Sequence, residues 1–327
     1  MNMSDACLLV GDIGGTNARF ALADSAAPGF DRAETLACAD YTTGDEAIRA
    51  YLDSVGAGQP DVICLAAAGP IVNDSVRFTN NHWSLSVANL QADFETDKVR
   101  LLNDFEANSY SIPSLTADDC LPVGLPDAHD LGDGDFNIGI IGPGTGLGTG
   151  GLCRRGDFLF PIVGEGGRVG FAPETQLQLE VLVALRDQFD RVSVERLISG
   201  PGIENLYWAL SRVHGAQNSG LDAADVFERD ARGEDPLATE AVQMFFEVLG
   251  QVAGNVALTL GGFDGIYIAG GIARRYPTVL QNSRFRSSFE AKGRHRTVME
   301  TIPTQLVVYP EPGLLGAAYC ALELLRR

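Results

Sequence analysis

Lysine is almost missing from this 327-residue chain: Lys98 and Lys292 stand against 22 arginines. No G-x-x-x-x-G-K-[ST] run occurs, which argues against a P-loop, and the scarcity of lysine argues equally against Schiff-base chemistry. Metal-binding patterns are missing too. Cys7, Cys38, Cys64, Cys120, Cys153 and Cys320 form no C-x-x-C pair, and His82, His129, His214 and His295 show no ligand spacing. Structural zinc is therefore not expected. Positive charge is short: the net charge of −19 excludes nucleic acid and anionic membrane surfaces as partners. It does not exclude phosphate, which a local nest of backbone N–H groups can hold against a distant negative field. No signal peptide is expected, and cysteines without a pairing pattern suit a reducing compartment, so a cytoplasmic location is expected. The most membrane-like stretch, residues 244–262, carries Glu247, Gln251 and Asn255, which with Gln243 make a polar stripe at four-residue spacing. That pattern predicts an amphipathic helix, with Asp235 as N-cap and Pro236 at its first position, and no membrane span.

Glycine, by contrast, is plentiful at 38 residues, and it is concentrated after apolar runs. Leu8-Leu9-Val10-Gly11-Asp12-Ile13 reads as a buried strand. Gly14-Gly15-Thr16-Asn17 then turns the chain, with positive φ allowed at the glycines, into a second strand through Ala18, Arg19 and Phe20. Such a turn points N–H groups and the Thr16 hydroxyl into one small space where phosphate oxygens fit, and Asp12 stands where it can hold a hydrated Mg²⁺. A plain hairpin with a surface aspartate is the alternative. A second strand-to-glycine segment runs from Phe136 through Gly144, Thr145 and Gly146, and a third ends at Gly270-Gly271. The first two, about 130 residues apart, suggest an internal duplication. Gly146, Gly148 and Gly151 match G-x-G-x-x-G formally, but residues 152–160 read as a hairpin where a dinucleotide fingerprint needs a helix, so a Rossmann site is rejected.

Helices are expected at residues 44–55, 86–94, 104–111, 176–189, 202–212, 236–260 and 314–324, and strands at 61–67 and 99–102. Residues 113–135 are acidic and rich in Pro and Gly, which suits a connection between two α/β domains.

The run Asp12-Ile13-Gly14-Gly15-Thr16-Asn17-Ala18-Arg19, with Gly144-Thr145-Gly146-Leu147-Gly148 far downstream, resembles the bacterial glucokinase family. That family lies within the sugar kinase, heat-shock ATPase and actin superfamily. Further matches follow in the family's order: Ala68-Gly69-Pro70-Ile71, Thr79-Asn80-Asn81-His82-Trp83, Leu102-Asn103-Asp104-Phe105, Gly164-Glu165-Gly166-Gly167, Glu195-Arg196-Leu197, Ala269-Gly270-Gly271 and Pro312-Gly313-Leu314. The resemblance implies a two-domain actin/hexokinase-like (ribonuclease H-like) α/β fold with a hinged cleft. Residues 1–114 plus 309–327 would form the small domain and 115–308 the large one, with the C-terminal helix returning to the first. It also implies ATP and Mg²⁺ as cofactors, glucose as substrate and a homodimer.

Phosphoryl transfer to a hydroxyl needs a proton acceptor and positive charge about the γ-phosphate. Asp104 ends a strand and is either that base or the N-cap of the following helix; the resemblance favours the base. Asn103 offers both donor and acceptor to a sugar hydroxyl. Glu165, set among glycines, reads as a ligand contact. Glu195 reads equally as half of an ordinary ion pair with Arg196, and the resemblance makes both glutamates sugar acceptors. The nucleotide set it implies is Gly11, Asp12, Ile13, Gly14, Gly15, Thr16, Asn17, Arg19, Gly144, Thr145, Gly146, Gly270 and Gly271. One departure stands out: the family's Glu-Gly-Gly-His ends here in Arg168. A guanidinium only donates and stays charged. Arg168 is thus expected either between Glu165 and Glu195 or swung outward, and in both cases it alters the side of the pocket that reads the C2 hydroxyl. Mannose or broad hexose specificity is the nearest alternative. A non-catalytic actin-like ATPase would not need Asn103, Glu165 and Glu195. A transcription regulator would need a DNA-binding extension for which residues 1–8 leave no room.

Overall fold

The structure, a computed structural model, describes residues 6–78, 81–126, 131–217 and 220–326. Contacts divide the chain into two compact units, Met1–Thr116 with Tyr309–Arg327, and Ala117–Val308. Thr79 and Asn80 of the Thr-Asn-Asn-His-Trp motif and His129 lie outside the described residues.

The first unit begins with β1 (Leu8–Ile13), β2 (Asn17–Ala23) and β3 (Phe30–Ala37), followed by α1 (Gly44–Ser54) and β4 (Val62–Ala67). A small antiparallel pair, β5 (Ser75–Arg77) and β6 (Ser84–Ser86), precedes α2 (Val87–Asp93), β7 (Lys98–Asn103) and α3 (Asp104–Ser111). The main sheet has the order β3-β2-β1-β4-β7, antiparallel across β3, β2 and β1 and parallel across β1, β4 and β7. Every residue of β4 is buried, which is why Val-Ile-Cys-Leu-Ala-Ala reads as an unbroken apolar run: a parallel strand is covered on both faces. Ser86 caps α2 by accepting the Asn89 N–H at 3.2 Å, as its place before an apolar periodic stretch predicts.

The second unit repeats that plan. Its sheet comprises β8 (Cys120–Pro122), β9 (Phe136–Pro143), β10 (Leu147–Arg155), β11 (Phe158–Gly164), β12 (Gly265–Ile268) and β13 (Thr304–Val307), in the order β11-β10-β9-β12-β13-β8. The hairpins β11-β10-β9 are antiparallel and β9-β12-β13 are parallel, so five strands here copy the order and direction of the five in the first sheet. The duplication suggested by the two glycine turns is thus present in topology. β8 adds an antiparallel edge, Cys120 opposite Val307, so part of the expected connecting segment belongs to this sheet.

The helices of this unit are α4 (Gln176–Leu185), α5 (Gly200–Val213), α6 (Ala223–Arg232), α7 (Pro236–Leu260), α8 (Gly271–Arg275), α9 (Pro277–Asn282), α10 (Phe285–Glu290) and α11 (Arg296–Glu300). Asp235 caps α7, accepting the Leu237 N–H at 2.9 Å, and Gly261 stops it at φ 63°, a left-handed conformation that glycine adopts without strain. α7 has the length and apolarity of a membrane span, yet 72% of its most apolar stretch is buried inside the unit. The polar stripe is graded along the helix: Gln243 and Glu247 are half-buried, Gln251 is buried and Asn255 is exposed. Glu247 accepts from Gln178 Nε2 at 2.8 Å and from Arg284 at 3.3 Å, and Gln251 is buried. The reason is that α5, α6 and α10 all pack on α7, and Gly250 lacks the Cβ that would strike the Phe285 carbonyl of α10.

The chain ends in α12 (Pro312–Arg326), which packs on α3, β1 and β4 of the first unit. Its Gly316 sits where any Cβ would overlap the Ala107 carbonyl of α3.

Candidate functional site

In the first unit the β1–β2 turn closes with the Gly14 N–H donating to Asn17 O at 2.9 Å. Neither Gly14 nor Gly15 has a positive φ, contrary to the tight turn predicted. The register Ile13–Ala18 leaves a four-residue loop, long enough to turn without left-handed residues. Asn81 Nδ2 donates to Gly14 O at 3.0 Å while its Oδ1 accepts from the Trp83 N–H, so that motif braces the turn. Thr16 and Asn17 are exposed at its tip. Gly11 and Ile13 are buried in the sheet, and a Cβ on Gly11 would come within 2.8 Å of Leu65 and 2.9 Å of Phe20. Both therefore serve packing beneath the turn.

Asp12 lies directly opposite Arg19, whose guanidinium stands 4.0 Å from one Asp12 oxygen and 3.4 Å from Glu311. Burial pushes the Asp12 carboxyl up to about 6; Arg19 opposes this, and Asp104 and Glu311 add to it. Asp12 and Glu311 thus share the Arg19 guanidinium, and the Asp104 charge is felt at the same corner. Gly313 of α12 makes room for this corner, since its Cβ would lie 3.1 Å from the Asp12 carboxylate. Glu311 escaped the sequence reading; its only signal was its place immediately before the Pro312-Gly313 match.

Of the two roles the sequence left open for Asp104, the cap is taken by Asn103. Asn103 is the N-cap of α3: its Oδ1 accepts the Phe105 N–H at 2.9 Å, and its Nδ2 reaches Gly69 O at 3.3 Å. Asp104 is the first residue of the helix, so its carboxylate is not the cap. Behind it Arg100 pairs with Glu106 at 2.6 Å and anchors the first turn of α3 to β7.

In the second unit the β9–β10 turn carries Gly144, Thr145 and Gly146, with Gly144 N–H donating to Gly146 O and Gly144 O accepting from Gly200 at the start of α5, both at 2.8 Å. Thr145 is exposed, and a Cβ at Gly144 would meet nothing within 4 Å. Gly270, at φ 102°, passes so close to Pro143 O that a Cβ would stand 2.5 Å from it; Gly271 faces open space. Both glycine turns of this unit therefore expose backbone.

Glu195 ties Arg168 to that turn. Its Oε2 accepts the Leu147 N–H at 3.0 Å and lies 2.7 Å from where Gly146 would place a Cβ. Its Oε1 pairs with Arg168 at 2.8 Å, with Glu195 19% and Arg168 65% exposed. The ion pair expected with Arg196 is not the one formed: Arg196 stacks over Phe189 instead, 4.2 Å from the ring centre. Arg168 is not swung away but clamped to Glu195. Glu165 is exposed on the same short segment, just before a 3₁₀ turn at Gly166–Arg168 that Thr149 holds by accepting the Gly166 N–H at 2.9 Å. Thr149 also escaped the sequence reading. Among the described residues, no group of three or more His, Cys, Asp or Glu is arranged as a metal cage.

A family model described as Glucokinase matches residues 9–324. The glucokinase of Nitrobacter hamburgensis is 40% identical over 319 residues, covering 97% of this chain and 98% of that protein. That of Caulobacter vibrioides is 42% identical over 323 residues, covering 97% and 96%. The crystal structure of a glucokinase from an Antarctic psychrotroph superimposes with a TM-score of 0.88 at 35% identity, covering 96% of this chain and 98% of that one. A glucokinase of the ROK family from Streptomyces griseus, solved with glucose and AMPPNP, shares the fold at a TM-score of 0.62 and 20% identity, over 96% and 98% of the two chains.

Proposed function

The chain belongs to the glucokinase family of ATP-dependent sugar kinases, and from that premise we propose that it transfers the γ-phosphoryl group of ATP to the C6 hydroxyl of glucose. The observation that carries the residue assignment is the division of labour at the head of α3. Asn103 takes the cap and Asp104 stands at the first helical position, where its carboxylate accepts the C6 hydroxyl proton as the oxygen attacks phosphorus. Asn103, fixed by its two backbone bonds, offers its remaining amide hydrogen to a sugar hydroxyl. Glu165 and Glu195 accept hydrogen bonds from sugar hydroxyls, and Arg168 donates beside them. The Gly14–Asn17, Gly144–Gly146 and Gly270–Gly271 backbones receive the nucleotide, with Arg19 next to its phosphates. Mg²⁺ at Asp12 would neutralise phosphate charge when bound. The Arg168–Glu195 pair supports one variation: relaxed discrimination at C2, so that mannose is also a substrate.

Steady-state ATP turnover with and without glucose tests the reading. Turnover that needs the sugar and yields glucose 6-phosphate is expected, and sugar-independent ATP hydrolysis would refute it. We further propose a cytoplasmic homodimer. Support comes from six unpaired cysteines and from the edge strand β11, which exposes Phe158, Phe160 and Val163. Sedimentation of the wild type against Phe158→Ser/Phe160→Ser checks it.

A further inference from the structure

A cavity of about 320 Å³ in the second unit takes no part in the phosphoryl transfer just described. Its walls are β10, β11, the loop 164–172, Val194 and one face of α7. Val169, Phe171, Val194, Val252, Val256 and Leu260 make the lining apolar, and no Asp, Glu, Lys, Arg or His contributes to it. Its size and character are those of a small-molecule pocket: mostly apolar, with a few polar groups to orient a ligand.

Gln251 of α7 is among the lining residues although it is only 4% exposed. Its Oε1 is fully buried and has no hydrogen-bond partner among the described residues. Its neighbour one helical turn earlier, Glu247, has two partners. A buried amide oxygen with none carries a desolvation cost that leucine or methionine at the same place would avoid. The other polar groups in the wall are Asn255, Thr259 and Thr149, and Thr149 Oγ1 already accepts from Gly166.

We propose that this cavity binds a small neutral molecule, with a ring-sized apolar body and a hydroxyl or amide that bonds Gln251. The absence of charged lining excludes anions, cations and free sugar phosphates as occupants, and the apolar walls exclude a polyhydroxylated sugar. The walls are also the supports of the sugar residues: Gly164 and Gly166 flank Glu165, Val169 follows Arg168, and Val194 precedes Glu195. An occupant orders these segments before the sugar arrives, and so lowers the cost of binding it. This second statement rests on the sugar-kinase reading; the first does not.

The probe is 2-naphthol, with naphthalene as the control lacking the hydroxyl, titrated by fluorescence against the purified full chain. Saturable one-to-one binding is expected, with 2-naphthol about tenfold tighter than naphthalene, the ratio worth about 1.4 kcal/mol. Gln251→Met keeps the length of the side chain and should erase that ratio while retaining naphthalene. Ala172→Trp, at the exposed rim, should abolish binding of both, and a thermal melt of each variant verifies folding. No saturable binding, or binding untouched by Ala172→Trp, overturns the site; equal affinity of both probes for the wild type overturns the role of Gln251. Saturating 2-naphthol should lower the glucose KM at least about twofold with kcat unchanged, as expected when a ligand pre-orders a loop. An unmoved KM overturns the coupling alone. Since binding is read without turnover, absence of glucose phosphorylation would refute the sugar-kinase reading and leave the site standing.

Discussion

Replacing Arg168 by histidine separates specificity from stability. Arg168 Nη1 lies 2.8 Å from Glu195 Oε1, but the side chain is 65% exposed. An ion pair so open to solvent contributes only about 0–1 kcal/mol to folding, so the melting temperature of Arg168→His should fall by no more than about 3 °C. The effect on sugar choice should be larger. Glu195 already receives the Leu147 N–H on one oxygen and the guanidinium on the other, which leaves it fewer acceptor sites for sugar hydroxyls. Removing the guanidinium returns one of them. A hydrogen bond to a charged partner is worth about 1.5–3 kcal/mol, or on the order of ten- to a hundredfold in relative kcat/KM. The assay is kcat/KM for glucose and for mannose, wild type and variant, at saturating ATP, with melting curves of both. The glucose-to-mannose ratio should rise by that factor in the variant. A ratio unchanged within twofold, at an unchanged melting temperature, would refute the argument and remove Arg168 from sugar recognition.

Asp104→Asn keeps shape and hydrogen bonding but loses the basic oxygen, so turnover should drop by at least about a hundredfold with glucose binding retained by calorimetry; near-normal turnover would mean another group takes the proton. Gly144→Val adds a side chain where the protein itself has nothing within 4 Å. Stability should therefore hold while ATP affinity falls much more than glucose affinity, and equal loss of both would make the turn merely structural. The Asp12 carboxyl, raised to about 6, gives a pH signature. In the metal-free protein its protonation contributes stability that is fully present below the unfolded carboxyl value of about 3.9 and is lost as pH rises through about 6. A cation needs the ionised form, so the gain in melting temperature from Mg²⁺ and ATP should shrink as pH falls from 7 to 5. Asp12→Asn should show no such trend, and a pH-independent gain in the wild type would exclude Asp12 as the metal ligand.

Periodicity and local chemistry were enough wherever structure is decided within a few residues. Asp235 and Pro236 start α7, and Ser86 starts α2, because an N-cap is a contact between a side chain and an N–H two or three positions on. The apolar run of β4 was legible because a parallel strand is buried on both faces. The small helices α8 to α11 between Gly271 and Glu300 were not, since each is a turn or two long and held by packing rather than by a periodic face. The burial of individual residues along the polar stripe of α7 was not legible for a related reason. Spacing shows that Gln243, Glu247, Gln251 and Asn255 share a face, and only the packing of α5, α6 and α10 decides that Gln251 is buried while Asn255 stays exposed.

The candidate site divides along the same line. The sequence by itself determined the glycine turns, the acidic strand ends and the Asn103-Asp104 pair, because backbone exposure and strand termination are local properties. Which carboxylate meets which cation was decided by tertiary structure alone. Glu195 stands next to Arg196 in the chain yet pairs with Arg168, 27 residues away, and Asp12 shares Arg19 with Glu311 from the far end of the chain. Ion pairs form between groups brought within a few ångströms by packing, and Coulomb attraction takes no account of separation along the sequence.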